Sequence, residues 1–227
     1  MTSTPYTRPP RPARGRPLGF DENQAIDALM RTFWELGWRG ASVSILEERT
    51  GVARSSLVNT FGSKHEMYLA ALHLYAELVD ELLLDPMASG VAGSDDVLRF
   101  FERLRHSKAS EPGSWGCLMA VSMTELPTDP DIVAATRAYR ERLVAALEAA
   151  LRRAEAEGQI RGGSSGTLAA GLAAAVIGIN VATRAGASSD ELDTLISGVN
   201  ELRLRHSTHA PESMTVRIRQ GVVSDSR

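Results

Sequence analysis

Cysteine is the scarcest residue in this chain, since Cys117 is the only one among 227 residues. A single cysteine excludes an intramolecular disulfide framework and favours a reducing compartment. Aromatic residues are also few, at 5%, but apolar residues as a whole make up 43% of the chain. That proportion is typical of a protein that folds around a core, so the disordered and fibrous classes are disfavoured.

The chain has no large excess of charge of either sign, because its formal net charge is −3. Any contact with nucleic acid must therefore depend on a local patch. One patch lies in residues 1–19, which contain four arginines, five prolines and no acidic residue. This composition predicts a disordered basic arm. No apolar stretch follows it, as a secretory signal would require, so we expect a cytoplasmic protein.

A long hydrophobic run is missing as well. Residues 162–183 carry no charge, but only residues 168–182 form an apolar helix, and these are too few to span a bilayer of about 30 Å. Small residues recur along this segment, which permits close approach of two helices. They are Gly171, Ala174, Ala175 and Gly178, with Ile179 beside them. A buried helix at a subunit interface is expected.

Helical periodicity and capping residues run through the chain, and no segment has a convincing strand pattern. We expect an all-α protein of about nine helices. Ser63 and Glu66 have the spacing of a capping box that opens a long helix, and Pro86 is expected to end it. The predicted helices cover residues 21–36, 44–50, 54–61, 63–85, 95–106, 117–125, 130–157 and 168–182, with a last apolar stripe from Leu192 to Leu202.

The second and third predicted helices have the spacing of a helix-turn-helix, with Gly51 at the bend. Val52, Leu57 and Phe61 can face the scaffold, which leaves a short polar face that can enter the major groove of DNA. The alternative is an ordinary helical hairpin with a solvated polar face. The polar face consists of Arg54, Ser55, Ser56, Asn59 and Thr60.

A family resemblance strengthens the DNA-binding interpretation. Residues 15–75 resemble the N-terminal domain of the TetR/AcrR family of regulators. The resemblance rests on Phe33-Trp34, Gly37-Trp38, Ser42-Val43-Ser44-Ile45-Leu46, Thr50-Gly51-Val52, Arg54-Ser55-Ser56-Leu57 and Asn59-Thr60-Phe61-Gly62-Ser63-Lys64. It implies that residues 54–60 form the recognition helix and that Ser42 and Lys64 face phosphates at helix starts. The basic arm, including Arg16, is expected to reach a minor groove.

Three residues depart from the family pattern. Val58 replaces a tyrosine that donates to phosphate, Ala53 replaces a Ser or Thr helix cap, and Glu47 adds a negative charge near DNA. The loss of a cap costs about 1 kcal/mol of helix stability. These departures keep an alternative open, in which the protein is a helical dimer that has lost operator binding and acts as a ligand- or protein-binding module.

The resemblance extends more weakly into the second half, through Gly116-Cys117-Leu118 and Thr124-Glu125-Leu126. It implies an N-terminal three-helix DNA-binding domain joined by a long helix to a C-terminal helical domain. That second domain is expected to bind a ligand and to form a homodimer through the last two long helices. The predicted divisions are an arm (1–19), a DNA-binding domain (20–65), a ligand-binding and dimerisation domain (66–206) and a flexible tail (207–227).

Aromatic and methionine side chains between the long helices predict a pocket for an effector that is by default apolar. The alternative for each of them is an ordinary place in the core. Cys117, near a helix start and close in sequence to basic residues, is either a reactive thiol or a small buried hydrophobe. The candidates are His73, Tyr75, Phe100, Phe101, Trp115, Cys117, Met119, Met123 and Tyr139.

These patterns predict a ligand-responsive regulator, most simply a repressor that an effector releases from operator DNA. An enzyme is not expected, because the sequence has no phosphate-binding glycine loop, nucleophile motif or metal cluster. His73 and Tyr75 are the only candidates for a catalytic pair, and His206 with His209 is a weak metal pair at a chain end. No cofactor is expected.

Overall fold

The computed structural model describes residues 19–108, 111 and 113–207, with side chains up to residue 198. Residues 1–18 of the basic arm, which include Arg16, lie outside the described residues, as do His209 and the rest of the tail beyond residue 207. The described part is helical and contains no strand. Its α-helices are α1 (Glu22–Gly40), α2 (Val43–Thr50), α3 (Arg54–Phe61), α4 (Lys64–Val79), α5 (Asp85–Ala88), α6 (Ser94–Lys108), α7 (Leu118–Glu125), α8 (Pro130–Ala156), α9 (Ser165–Arg184) and α10 (Ser189–Ser207).

The predicted all-α class is confirmed, and the predicted number of helices is found when α4 and α5 are counted as one continuous run. Helix α1 is capped by Asp21, whose carboxylate accepts hydrogen bonds from the backbone N–H groups of Asn23 and Gln24. Its regular part ends at Gly37, which has φ 72° and ψ 178°. That left-handed backbone favours glycine, and the chain then turns through Trp38 to Gly40.

Helices α2 and α3 form the predicted helix-turn-helix. Ser42 caps α2, since its Oγ accepts from the N–H of Ile45, and Gly51 ends the helix with φ 64°. Val52, Leu57 and Phe61 are buried, as the sequence predicted. The capping box of α4 is also confirmed, because Ser63 and Glu66 each accept a backbone N–H from the other.

The prediction that Pro86 ends the fourth helix is wrong. The helix continues through a π turn at Asp80–Leu84 into α5, which contains Pro86. In the π turn, the N–H of Asp85 donates to the carbonyl of Asp80, five residues back. Wider turns of this kind change the register of the hydrogen bonds, which relieves the conflict that a proline creates in a regular helix.

The C-terminal half packs α8 and α9 side by side. Ala169, Ala173, Val176 and Ile179 lie in the core, and small residues allow the two helices to approach closely. Ile179 is 3% exposed, so it does not belong to the outer small-residue surface with which the sequence grouped it. Helix α9 is long and apolar enough to cross a membrane by length and composition, but this buried face is typical of a core helix.

Helix α10 packs against α9 and α6. Leu192 and Ile196 are buried, whereas Leu195 is 44% exposed. The side chains of Val199 and Leu202, which complete the predicted stripe, lie outside the described residues.

A buried carboxylate fixes the start of α6 to α8. Asp96 is 4% exposed and accepts hydrogen bonds from Arg99, from Arg153 of α8 and from the backbone N–H of Ala92. Burial alone would raise the pKa of Asp96, but these hydrogen bonds outweigh it and leave the pKa lowered. Asp96 is therefore a buried charge whose partners are all supplied by the protein.

Candidate functional site

The outer face of α3 is polar and accessible. Arg54, Ser55 and Asn59 are exposed and Ser56 is half-buried. Val58 is 44% exposed on the same helix. A short helix with donors and acceptors on one face and a buried apolar face on the other meets the requirements for reading the edges of bases in a major groove.

Thr60 differs from the sequence expectation. It was expected to face outward, but its Oγ1 is buried and accepts or donates no hydrogen bond within the described part of the chain. Thr60 as a whole is half-buried, so its hydroxyl is less available to DNA than the exposed groups of α3. The geometry therefore leaves Arg54, Ser55 and Asn59, with half-buried Ser56, as the groups most available to DNA.

Two of the departures from the family pattern compensate each other. Ala53 supplies no side-chain cap to α3, and Glu47 of α2 takes over part of that role. Its Oε1 accepts from the backbone N–H of Arg54 at 3.1 Å. A carboxylate at a helix N-terminus is favoured both by this hydrogen bond and by the helix dipole. Sequence reasoning treated Glu47 and Ala53 as separate defects, and in the fold they belong to one capping arrangement.

Ser42 and Lys64 stand at helix starts, as the resemblance implied. Ser42 is exposed. The Nζ of Lys64 donates to the carbonyl oxygen of Trp38 at 2.6 Å and lies 4.3 Å from the centre of the Trp38 ring. Burial lowers the pKa of Lys64, and the nearby Glu125 carboxylate partly opposes that shift. In this structure Lys64 therefore joins α4 to the end of α1.

A cavity of about 900 Å³ lies between α1 and the C-terminal helices. Helix α1 is the first helix of the DNA-binding unit, which consists of α1, α2 and α3. Volumes of this size accommodate small organic molecules. Its wall is mainly apolar and aromatic, with charged side chains at several points. The residues of this wall include Asp27, Met30, Arg31, Trp34, Tyr75, Phe100, Leu104, Lys108, Cys117, Tyr139, Val176 and Asn180.

Four of the side chains expected in the pocket line this cavity, namely Tyr75, Phe100, Cys117 and Tyr139. The other five do not. Phe101 and Met119 are packed in the core, and Met123 is half-buried outside the cavity wall. Trp115 packs edge-on against Trp34 with ring centres 5.8 Å apart. His73 is half-buried on α4, and burial lowers its pKa.

The sequence analysis did not include two polar residues of the cavity wall among its candidates. Lys108 is only 9% exposed, and its Nζ donates to the carbonyl of Gly116 at 3.0 Å. No carboxylate lies within ion-pair distance of it among the described residues. Burial lowers the pKa of Lys108, and Cys117 opposes that shift. The sequence showed Lys108 only as one of several basic residues near a helix end.

The second missed residue is Asn180, which is 3% exposed. Its Nδ2 donates to the carbonyl of Val176 one turn earlier at 2.8 Å. Its Oδ1 is buried and accepts no hydrogen bond in the described part of the protein. A buried acceptor without a donor is costly. A signal for it existed, because Asn180 is the only polar side chain in residues 168–182.

A thiol and two phenols meet on one side of the cavity. Cys117 is 3% exposed, at the N-terminal end of α7. Its Sγ lies 4.0 Å from the hydroxyl oxygen of Tyr139. Burial, with smaller contributions from Cys117, raises the pKa values of Tyr75 and Tyr139, so both remain protonated donors.

Helix α1 is part of the cavity wall as well as of the DNA-binding unit. Trp34 of α1 donates its Nε1–H to the carbonyl of Gly116 at 3.2 Å, the same oxygen that Lys108 contacts. Arg184 of α9 donates to the carbonyls of Trp34 and Trp115 at 2.7 and 3.2 Å. The residue beside Cys117 is therefore hydrogen-bonded directly to the first helix of the DNA-binding unit.

A second connection joins the end of α1 to α7. The carboxylate of Glu125 accepts from the backbone N–H of Trp38 at 2.6 Å. Tyr68 of α4 shares a 2.8 Å hydrogen bond with Ser122 of α7, and burial raises the pKa of Tyr68 to about 12. The DNA-binding unit is thus held against the cavity-bearing half at two points.

A helix-turn-helix with an exposed polar recognition face, built onto a helical half with an internal cavity, defines a DNA-binding regulator. The family model described as "Bacterial regulatory proteins, tetR family" matches residues 25–71. Through this match and the relatives described next, the chain is similar to the TetR family of transcriptional regulators, a family of DNA-binding proteins without enzymatic activity.

Known relatives cover most of the chain. The repressor ComR of Escherichia coli is 28% identical over 200 residues, which are 84% of this chain and 92% of ComR. The regulator AcuR of Cereibacter sphaeroides is 29% identical over 67% of this chain and 70% of its own. A solved structure of the TetR-family regulator CifR, a cysteine mutant bound to a 26-base-pair operator duplex, has a TM-score of 0.70 and 26% identity. It covers 84% of this chain and 98% of CifR.

Proposed function

We propose that this regulator is a homodimeric, cytoplasmic repressor that leaves its operator when a small molecule fills the cavity. The observation that carries the proposal is that α1 belongs to the DNA-binding unit and also forms part of the cavity wall. Two comparisons support it: ComR is named a transcriptional repressor, and CifR was solved on operator DNA.

The coupling follows from the contacts of α1. A ligand that displaces Trp34 or the Gly116 carbonyl disturbs their 3.2 Å hydrogen bond and with it the position of α1. Helix α1 packs on both α2 and α4, and these two helices in turn contact the recognition helix α3. A shift of α1 therefore moves α3 as well. A coupling free energy of about 1–3 kcal/mol would change operator affinity by about 5- to 150-fold.

In the bound state, Arg54, Ser55, Ser56 and Asn59 read the major groove, and Ser42 and Lys64 contact phosphates. An ammonium group has three N–H donors, and the Trp38 carbonyl takes one of those of Lys64. Two remain for a phosphate oxygen. Thr60 has a weaker case because its hydroxyl is buried, and Arg16 contributes only if the arm reaches the minor groove.

The proposed dimer interface lies on α9 and α10. Their exposed faces include small and apolar residues, among them Gly171, Ala174, Gly178, Val181 and Leu195. Small residues let a symmetry-related helix approach closely. A two-fold dimer places two recognition helices on two half-sites, so the operator should be palindromic.

The division into a DNA-binding domain (20–65) and a ligand-binding and dimerisation domain (66–206) is also retained as a proposal. The cavity modifies the expectation of a purely apolar effector. Lys108 and Asn180 line it, so the best ligand has an apolar body and at least one polar group. Five side chains expected to bind the effector, His73, Phe101, Trp115, Met119 and Met123, lie away from the cavity wall and are assigned supporting roles in packing.

The experiment is selection of bound sites from random duplex DNA, followed by binding of the selected site across salt concentrations. Wild type is compared with Asn59→Ala, Lys64→Ala and the control Arg140→Ala, which changes an exposed side chain of α8. Loss of a base contact should weaken binding by about 1–3 kcal/mol at one position of the site, and loss of a phosphate contact should reduce the salt slope by about 1.

Because Lys64 also holds Trp38, the thermal unfolding of Lys64→Ala is measured alongside its DNA binding. The proposal predicts a palindromic site, a flatter salt slope for Lys64→Ala and no change for Arg140→Ala. If no sequence is enriched at any salt concentration, the protein is the ligand- or protein-binding module that the exposed Val58 keeps in consideration.

A further inference from the structure

We propose that the effector of this regulator is a small organic carboxylate whose apolar body fills the cavity. Its carboxylate binds the ammonium group of Lys108, and a hydroxyl or N–H group of the same molecule donates to the side chain of Asn180. The inference rests on the proposed function, because it concerns the same cavity. It goes beyond that function by naming the chemical class of the ligand and the two side chains that select it.

The first observation is a buried ammonium group in the cavity wall. Lys108 is the last residue of α6, it lines the cavity and it is only 9% exposed. A buried cation normally lies beside an anion, because the loss of its hydration is otherwise uncompensated. Among the described residues, no carboxylate lies within ion-pair distance of Lys108. An anionic group on a ligand would compensate this charge.

The hydrogen-bonding capacity of Lys108 is only partly used by the protein. An ammonium group has three N–H donors, and the carbonyl oxygen of Gly116 accepts one of them at 3.0 Å. That oxygen also accepts from the Nε1–H of Trp34 at 3.2 Å, so both of its lone pairs are used. The described part of the chain gives Lys108 no other acceptor. Two of its donors are therefore available to a carboxylate.

Two phenols add donors to the wall. Tyr75 and Tyr139 line the cavity, and burial raises the pKa values of both well above the ordinary value, so both stay protonated. The hydroxyl oxygen of Tyr139 lies 4.0 Å from the Sγ of Cys117, and Cys117 directly follows the glycine that binds Lys108. A positive charge with protonated hydroxyl groups favours a ligand group that is anionic and rich in oxygen acceptors.

The other charged side chains of the wall are at least partly exposed. Asp27 and Arg31 form an ion pair at 2.9 Å in which about half of each side chain is exposed. Glu81 and Arg103 are exposed, and water and salt screen exposed charges. Among the described wall residues, Lys108 is the only buried one that carries a charge. It therefore determines the sign of the ligand group that binds most deeply.

The second, independent observation is the buried acceptor of Asn180. This residue lines the cavity and is 3% exposed. Its Nδ2 donates to the carbonyl of Val176 at 2.8 Å, which fixes the orientation of the amide, because the opposite orientation would set two acceptors against each other. Its Oδ1 has no donor within the described structure. An ionised carboxylate cannot satisfy this atom, since it only accepts. The ligand therefore needs a hydroxyl or N–H group as well.

Gly116 brings the two polar groups near each other. Its carbonyl binds Lys108, and a Cβ on Gly116 would lie 2.7 Å from the backbone carbonyl oxygen of Asn180. The backbones of these two residues are therefore in contact, and one small molecule can reach both side chains. Trp34 and Phe100 also line the cavity, so the part of the molecule between its polar groups should be apolar or aromatic.

The carboxylate acts on the DNA-binding unit through the Gly116 carbonyl. Lys108 and Trp34 share this oxygen. When Lys108 turns towards a bound carboxylate, its hydrogen bond to Gly116 weakens, and the contact that holds Trp34 of α1 changes with it. The ligand thus alters the position of α1 without any covalent step.

The test measures ligand binding to the wild-type protein by isothermal titration calorimetry. The probes are the 3- and 4-hydroxy derivatives of benzoate, phenylacetate and 3-phenylpropanoate, which vary the distance between the carboxylate and the hydroxyl. At least one should bind about 10- to 150-fold more tightly than its uncharged primary amide, which is the value of a hydrogen bond to a charged group. It should bind about fivefold more tightly than the acid without the hydroxyl, which is the value of a neutral hydrogen bond.

Variants separate ligand recognition from a structural role. Lys108→Met and Lys108→Gln should both abolish the preference for acid over amide, whereas a lysine that only holds Gly116 would affect acid and amide equally. Lys108→Gln keeps neutral donors for the Gly116 carbonyl if Lys108→Met fails to fold. Asn180→Leu should abolish the preference for the hydroxyl and keep the preference for the acid. The control is Arg105→Met, an exposed cation of α6 outside the cavity wall, which should change neither preference.

The proposal is overturned if no hydroxy acid binds, if the amides bind as tightly as the acids, or if inorganic phosphate, which has no apolar body, binds as tightly as the best acid. It is also overturned if the Lys108 variants keep the preference for the acid. Failure of the proposed function has a different signature. In that case the best hydroxy acid binds with both preferences, but the protein selects no DNA site or its affinity for the selected operator does not change.

Discussion

Most polar side chains of the recognition helix are exposed, whereas two polar side chains of the cavity wall are buried. Arg54, Ser55 and Asn59 are exposed on α3, where water satisfies them until DNA replaces it. Lys108 and Asn180 are buried in the cavity wall, and Asn180 retains an acceptor with no donor in the described structure. An exposed polar group costs little in the free protein, whereas a buried unsatisfied one costs stability. The cavity half therefore contains a buried acceptor that no donor among the described residues satisfies.

A second contrast lies within the cavity half itself. Asp96 is as deeply buried as Asn180, but the protein supplies its partners. Burial together with satisfied hydrogen bonds is typical of a structural role, whereas a buried atom without a partner needs another explanation, such as a bound ligand or water. The following changes test that distinction.

The largest effect is expected for Asp96→Ala. The substitution leaves Arg153 without its carboxylate partner and removes the acceptor of the Ala92 N–H. Breaking a buried ion pair in this way costs about 3–5 kcal/mol. The free energy of unfolding, measured by urea denaturation, should fall by that amount. A loss below 1 kcal/mol would show that Asp96 is not structural.

Acid should have a related effect. The pKa of Asp96 is lowered from its ordinary value of 3.8, so its contribution to stability is complete above that value and is lost as the pH falls through the lowered one. The unfolding midpoint of wild type should therefore drop more steeply between about pH 5 and pH 2 than that of Asp96→Asn. Parallel curves for the two proteins would contradict this assignment.

Gly37→Ala tests the junction between the two halves. Gly37 has a φ of 72°, and a Cβ there would collide with the Glu125 carboxylate that accepts from Trp38. Gly186 also has a positive φ, 88°, with open space around it, so Gly186→Ala measures the strain of a positive φ without a collision, about 1–3 kcal/mol. Gly37→Ala should lose more stability than Gly186→Ala by the value of the lost charged hydrogen bond, about 1.5–3 kcal/mol. Equal losses would mean that the Glu125 contact is unimportant.

Glu47→Ala tests the shared cap of α3. Removal of the carboxylate that accepts from Arg54 should cost about 1 kcal/mol of stability. Ala53→Ser in the same chain should restore most of that loss, because it returns a hydroxyl to the cap position. Thermal unfolding of the two single variants and the double variant measures the coupling. If the two effects are simply additive, the carboxylate is not a substitute cap.

Asn180→Leu should have the smallest effect on stability and the opposite sign. Replacing a buried amide that has one unsatisfied acceptor by an apolar side chain of similar size should leave the free energy of unfolding unchanged or raise it by about 1 kcal/mol, because the loss of the hydrogen bond to Val176 is offset by the removal of that acceptor. A clear loss would make Asn180 a structural residue like Asp96 and would remove the contrast on which its functional assignment depends.

Local features of the fold could be read from the sequence, and long-range ones could not. The capping box at Ser63 and Glu66 and the glycine turns at Gly37 and Gly51 depend on residues a few positions apart. The prediction that Pro86 ends the fourth helix failed because the π turn that accommodates this proline depends on hydrogen bonds rather than on a residue pattern.

The cavity depends on contacts between distant segments. Lys108 and Asn180 are 72 positions apart in the numbering (180 − 108), and no periodicity relates them. Of the candidates chosen as methionine and aromatic residues at helical spacing, Phe100 and Tyr139 line the cavity, whereas Phe101 and Met119 belong to the core. A buried apolar side chain has the same sequence pattern whether it lines the cavity or packs in the core. Only the isolated polar residue in an apolar helix, Asn180, marked the cavity.

In the proposed mechanism, α1 couples the DNA-reading face to the cavity. Hydrogen–deuterium exchange of the protein, saturated either with the selected operator or with a scrambled duplex of equal length, tests it without knowledge of the effector. We expect operator DNA to change the exchange of backbone N–H groups in α1 and at Gly116 to Leu118, as well as in α2 and α3. A change confined to α2 and α3 would contradict it.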